Sequence, residues 1–177
     1  MPNNPNSHNR KLIRLKEYDY SQPGEYFVTI CTKNHECMFG SIENGKMDLN
    51  ERGRIVDGCW KGIPEHFSHV GLDEYIIMPN HVHGIIIINE IDMNRSRGEV
   101  TSPLRKQTLG NIAAYFKYQS TKLINESHDT PGAKVWQRNY YDRIIRGEKE
   151  LQNIQDYIAN NVLTWAFETE HPENIPL

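Results

Sequence analysis

No apolar run in the sequence approaches the ~20 residues needed to cross a bilayer, and the stretch Ile85 to Ile88 is far too short. A membrane span is therefore not expected. The first ten residues are rich in Asn and Pro and lack the apolar segment of a secretory signal. Cysteine is scarce: Cys31, Cys37 and Cys59 are an odd number with no CxxC spacing. That argues against a disulfide framework or a zinc knuckle and points to reduced thiols in a cytoplasmic protein. Internal repeats are also missing, which excludes a solenoid. What remains is a 177-residue chain with 37% hydrophobic and 10% aromatic residues. Such a chain can bury roughly two-thirds of its unfolded surface in one core. Residues 1–177 therefore read as a single domain preceded by a basic N-terminal arm over 1–24.

The net charge of −3 hides an uneven distribution. From Arg95 to Arg146 the sequence has ten basic residues against four acidic ones, and a second basic cluster occupies Arg10, Lys11, Arg14 and Lys16. An acidic protein with a basic stripe can bind phosphates, although a solvated helix surface gives the same count.

Hydrophobic periodicity places the elements. Tyr26 to Thr32 alternates as a strand, and Asn44-Gly45 between Phe39–Ile42 and Lys46–Leu49 predicts a two-residue hairpin. Arg52 to Phe67 has helical spacing. Leu72 to Met78 and His81 to Ile88 are Ile- and Val-rich, and Pro79-Asn80 is too short a link for anything but an antiparallel pair. Asp92 to Pro103 reads as an exposed loop. Leu109 to Ile124 is an amphipathic helix with Leu109, Ile112, Ala113, Phe116 and Leu123 on its apolar stripe. Val135 to Ile145 is extended, and Glu148 to Val162 forms a last helix. The expected class is α+β, with helices on one face of a mainly antiparallel sheet.

His81-Val82-His83 lies on a strand, where residues two apart project from the same face. Two imidazoles so placed can share one divalent ion, or can simply be a pair of strand histidines. Gly84 to Ile88 supplies no further ligand. A metal here would keep open positions for substrate, and nitrogen plus oxygen donors suit Mg²⁺ or Mn²⁺ better than a closed zinc site. In the last helix, Leu151, Ile154, Ile158, Val162 and Trp165 form a core stripe. Tyr157 sits at its border, with Asn153 and Asn161 one turn away on either side. That ridge can offer a hydroxyl and a carbonyl oxygen to a neighbouring site, or Tyr157 can be a boundary tyrosine with a wet hydroxyl.

Four motifs occur in order: Tyr75-Ile-Ile-Met-Pro-Asn-His81-Val-His83-Gly-Ile-Ile, Tyr118-Gln-Ser-Thr-Lys122-Leu-Ile, Trp136-Gln-Arg138-Asn-Tyr140-Tyr141 and Tyr157-Ile-Ala-Asn-Asn161. Together they resemble the single-tyrosine HUH transposases and are most similar to the REP-associated tyrosine transposases, over about Tyr18 to Asn161. The resemblance implies a ferredoxin-like fold, a divalent metal (Mg²⁺ or Mn²⁺) on His81 and His83, and Tyr157 as nucleophile. Many insertion-sequence members have Gln four residues after the tyrosine. Here the position holds Asn161, as in the REP-associated branch, and it stands as the third ligand. Tyr140 and Tyr141 are placed near the site rather than in it. The implied partner is single-stranded DNA carrying hairpins, cleaved and rejoined through a 5′-phosphotyrosine by a monomer or a homodimer.

DNA recognition is expected on the polar face of the helix from Leu109, at Tyr115, Tyr118 and Lys122, extended by Arg105, Arg138 and Arg143. Two other functions fit parts of the pattern. One is a non-catalytic hairpin-binding regulator; the other is a rolling-circle type nicking enzyme, which usually has a longer chain.

Overall fold

The computed structural model describes residues 18–90 and 107–168, with side chains as far as Trp165. Most of the basic arm, the expected loop 92–103 and Arg105 lie outside the described residues.

Strand β1 (Gly24–Cys31) is followed by a short 3₁₀ turn, Lys33–His35, and by a hairpin of β2 (Gly40–Glu43) and β3 (Lys46–Leu49). Asn44 and Gly45, with φ of 52° and 70°, make the left-handed turn that the Asn-Gly pair predicts. Helix α1 (Glu51–Lys61) starts on Asn50, whose side chain accepts from the Gly53 N–H. The single helix expected over 52–67 is instead two. Pro64 has no N–H to continue α1, so Gly62 ends it and α2 (Ile63–His66) begins. Next come β4 (Val70–Ile77), β5 (His81–Ile88), α3 (Leu109–Ser127), β6 (Tyr141–Ile144) and α4 (Glu148–Glu168).

The main sheet has the order β4-β5-β1-β6 with every neighbour antiparallel. With the β2–β3 hairpin as an insertion, this is the ferredoxin-like β-α-β-β-α-β arrangement, and the α+β class holds. Alternation along the strands divides the core in two. Tyr26, Val28, Ile30, Val82 and Ile86 pack with Trp60 of α1 and Phe116 of α3. Phe27 and Ile85 point the other way and meet Ile154 and Ile158 of α4. The expectation of helices on one face thus applies to α1 and α3, while α4 covers the opposite face.

Two further expectations shift. Leu123 is 43% exposed, because the last turns of α3 pack through Ser120 and Ile124, and Ser120 Oγ accepts from Trp136 Nε1 at 2.9 Å. The extended segment 135–145 is a strand only over Tyr141–Ile144, preceded by a bridge from Trp136 to Thr32. In between, Lys117 Nζ draws the carbonyls of Gln137 (2.9 Å) and Asn139 (2.8 Å) toward α3, and the sheet does not take them.

Gly84 is fixed by packing. A Cβ there would lie 2.3 Å from Trp60 Cζ2 and 2.9 Å from Tyr75 Cβ. Overpacking of this kind typically costs about 1–3 kcal/mol. Gly84→Ala should therefore lower the urea midpoint by a corresponding amount in equilibrium unfolding followed by tryptophan fluorescence.

Candidate active site and nucleic-acid groove

Strand β5 lies between β4 and β1, and its register places His81 opposite Cys31 and His83 opposite Thr29. Both imidazoles are fully buried on the α4 face, with ring centroids 4.3 Å apart, while Val82 enters the α1–α3 core. Each ring is held through Nδ1. His81 Nδ1 is 2.6 Å from Asn80 Oδ1, and a carbonyl oxygen can only accept, so the ring proton sits on Nδ1 and the lone pair on Nε2. His83 Nδ1 is 2.8 Å from Thr29 Oγ1.

Helix α4 completes the site from the same chain. Tyr157 Oη lies 3.3 Å from His83 Nε2, and the Tyr157 ring meets Phe27 and His83 edge-on. Asn161 is fully buried and its side chain reaches His81. Trp165, one turn further on, stacks over His81 at 5.9 Å between centroids and 26° between planes. The buried face of α4 is therefore Ile154, Ile158 and Asn161, rotated toward the Tyr157 ridge from the expected stripe, and Val162 is only half-buried. Asn153 is exposed and Tyr141 is half-buried. Tyr141 pairs with Thr29 on the next strand, which puts it on the same sheet face as His83.

Burial controls the charge here. Desolvation, and then the nearby His35, lower the His81 pKa to about 3 against a smaller upward pull from Asn161. Desolvation and then His81 hold His83 well below its ordinary value. Both rings are neutral at physiological pH, with lone pairs available, which is the state a metal requires. His81 Nε2 is buried without a hydrogen-bond partner, an orphaned acceptor of the kind a cation satisfies. Among the described residues no group of three or more His, Cys, Asp and Glu side chains is placed to hold a metal, and the Asn161 amide is a buried oxygen donor beside the pair. The residues present fit an ion with two nitrogen donors and otherwise oxygen donors.

A second feature lies beyond the end of β1. A groove of about 490 Å³ runs between α3 and residues 132–137, lined by Tyr118, Lys122, Lys134, Trp136 and Gln137. Of the expected recognition residues, Tyr118 (65% exposed) and Lys122 are gathered here. Tyr115 is not: its ring stacks on His66 at 3.9 Å and meets Phe67 edge-on, so it packs α3 against α2. Arg138 is exposed and is not part of the groove lining. Arg143 is tied to Glu150 at 2.6 Å, and the Arg146 N–H and then Arg143 hold the Glu150 carboxyl below its ordinary value. Thr29 was not singled out by sequence, Trp165 was read only as part of the apolar stripe of the last helix, and Asn80 only as part of the link before His81. Asn80 beside His81 and Trp165 two turns after Tyr157 were the only signals.

The depressed histidine pKa values carry a sign. In the unfolded chain both rings bind protons near pH 6.5, whereas in the folded chain His81 does so near pH 3. Between those values the unfolded state holds more protons, so stability falls as pH falls. In chelator-treated protein the urea midpoint should decrease from pH 7 to pH 4, and His81→Gln should flatten that dependence.

No family model matches the sequence. Among solved structures, a REP-associated tyrosine transposase bound to a REP hairpin aligns over 87% of this chain and 74% of its own, at 14% identity and a TM-score of 0.56. At that identity the likeness shows a shared, transposase-like fold. A second solved structure, from Deinococcus radiodurans, reaches a TM-score of 0.43 at 17% identity and bears on nothing further. A protein of Haemophilus influenzae, described only as uncharacterized, is 43% identical over 173 residues, 92% of this chain and 93% of its own length. The chain belongs to one family with that Haemophilus influenzae protein.

Proposed function

We propose that this protein is a metal-dependent single-stranded DNA endonuclease of the transposase type, cleaving and rejoining DNA beside hairpins through Tyr157. The observation that carries the reading is the 3.3 Å approach of Tyr157 Oη to His83 Nε2, beside a second buried neutral histidine whose Nε2 is unpartnered. A structural tyrosine needs neither. The four ordered motifs and the transposase-like fold support the same reading.

The chain's own groups divide the work. Asn80 and Thr29 orient the two imidazoles, and His81, His83 and the Asn161 amide oxygen would hold Mg²⁺ or Mn²⁺. When bound, such an ion polarises the scissile phosphate and stabilises charge developing in the transition state. Attack by the Tyr157 oxygen on phosphorus forms one P–O bond while the bond to the 3′ oxygen breaks. The tyrosine then carries the 5′ phosphate, and the proton its hydroxyl loses is balanced by the one the departing 3′ oxygen takes up, so the released strand ends in a 3′ hydroxyl. Bond energy is retained in the phosphotyrosine, so a 3′ hydroxyl can reverse the step without ATP. Phe27, Ile85 and Ile158 wall the site and exclude water that would otherwise hydrolyse the linkage.

The groove is the proposed seat of the DNA. Tyr118 offers a face for stacking, and Lys122 and Lys134 offer charge for phosphates. The hairpin in the solved transposase complex is the model for the ligand.

Two measurements test this. Labelled single-stranded hairpin DNA with Mn²⁺ should give a covalent protein–DNA adduct that disappears with EDTA and with Tyr157→Phe. Tight hairpin binding with no adduct would favour the binding-only regulator, and an adduct surviving Tyr157→Phe would refute the assignment of the nucleophile. For the groove, Lys122→Ala should reduce the slope of log K against log salt by about one, with Tyr118→Ala weakening binding by about 1–3 kcal/mol.

A further inference from the structure

Between the groove and the histidine pair runs a hydrogen-bonded chain that the proposed chemistry does not use. Gln137 lines the groove, and its backbone N–H donates to Cys31 O at 3.0 Å on the strand next to His81. Two strand spacings, about 10 Å, separate its backbone from that of His81. The Gln137 side-chain Nε2 is 2.9 Å from His35 Nε2. An amide N–H can only donate, so the His35 ring accepts at Nε2 and carries its own proton on Nδ1. That Nδ1 is buried with no hydrogen-bond partner, which leaves Gln137 as the polar anchor of the ring. The turn itself is strained: Asn34 and His35 both have φ of 56°, a left-handed backbone that L residues adopt only at a cost.

The strain places one atom. The His35 carbonyl oxygen accepts from Asn80 Nδ2 at 3.2 Å. With its nitrogen turned to His35, the Asn80 amide presents its oxygen to His81 Nδ1. A flipped amide would present N–H instead, and His81 would then carry its proton on Nε2, the atom needed for a metal.

We propose that His35 and Gln137 are positioning residues for the histidine pair. Through the His35 carbonyl they hold the Asn80 amide in the one orientation that gives His81 its metal-binding tautomer, and Gln137 makes this relay an extension of the groove. The proposal rests on the metal-dependent reading above for its purpose, but the relay can be measured without metal.

The experiment is long-range ¹H–¹⁵N NMR of the imidazoles in the full chain treated with chelator, followed by Mn²⁺ titration of the same samples. Wild-type His81 should show the Nδ1–H tautomer alone. In His35→Ala and Gln137→Ala the Nε2–H form should appear, and Mn²⁺ affinity should fall about tenfold, the low end for loss of an outer-shell partner. His35→Gln keeps an acceptor toward Gln137 and should stay within about threefold of wild type. Cooperative thermal unfolding identifies folded variants; if His35→Ala does not fold, the substitution of the half-buried Gln137 by Ala decides. Folded variants with the wild-type tautomer and wild-type Mn²⁺ affinity would overturn the relay while leaving the proposed function intact. A wild type with the Nδ1–H tautomer that binds no Mn²⁺ would sink the metal-dependent reading, and with it the purpose assigned to the relay.

Discussion

The register of β5 against β1 is the constraint on which the site depends. Because side chains alternate along a strand, pairing His83 with Thr29 and His81 with Cys31 puts both imidazoles on the α4 face and Val82 on the other. A slip of one residue would drive two histidines into the core beside Trp60 and Phe116, and would present Val82 to Tyr157. Packing guards against this slip. Trp60 approaches Gly84 too closely for any side chain to stand there, and Trp60 is in turn braced by Tyr75 and Phe116. The large apolar core on the α1–α3 side thereby fixes the small polar site on the other.

That site sits in an apolar surround, and this gives it its character. Phe27, Ile85, Ile154 and Ile158 surround two imidazoles and an amide that have little access to water. Burying polar groups is costly unless they are hydrogen-bonded, and Asn80 and Thr29 each satisfy one ring nitrogen. What is left over, His81 Nε2, faces inward where an ion would complete it. The same low dielectric keeps both rings neutral and would strengthen every charge interaction formed there.

The acidic net charge coexists with the groove because the charges are segregated. Lys134 stands on the segment after α3, and Lys122 on α3 has only a loose, exposed pairing with Glu126 at 3.9 Å, whereas Arg143 is neutralised at 2.6 Å by Glu150 and Lys117 is spent on backbone carbonyls. Counting basic residues therefore overstates the phosphate-binding surface. Only cations without a structural task contribute to it.

Much was legible along the chain because it depends on near neighbours. Period-two alternation put His81 and His83 on one face, Asn44-Gly45 forced a left-handed turn, and the two-residue link Pro79-Asn80 allowed only an antiparallel pair. Helical spacing found α3 and α4, and the Tyr157 ridge was visible as a polar line beside an apolar stripe. Other features required partners distant in sequence. Tyr115 and Tyr118 occupy one helix face by spacing, yet His66 covers the first and leaves the second open. Asn161 lies where periodicity alone would place a boundary residue, but α4 is rotated so that it is buried against His81. Thr29 and Trp165 lie outside the motifs and Asn80 is a silent member of one, and all three gain a role only when β1, the 79–80 turn and the end of α4 converge. The sequence by itself determined the elements and the face each side chain takes, because these follow from local backbone geometry. Tertiary structure decided which faces meet, since burial of apolar area is non-directional and selects among pairings only across the whole fold.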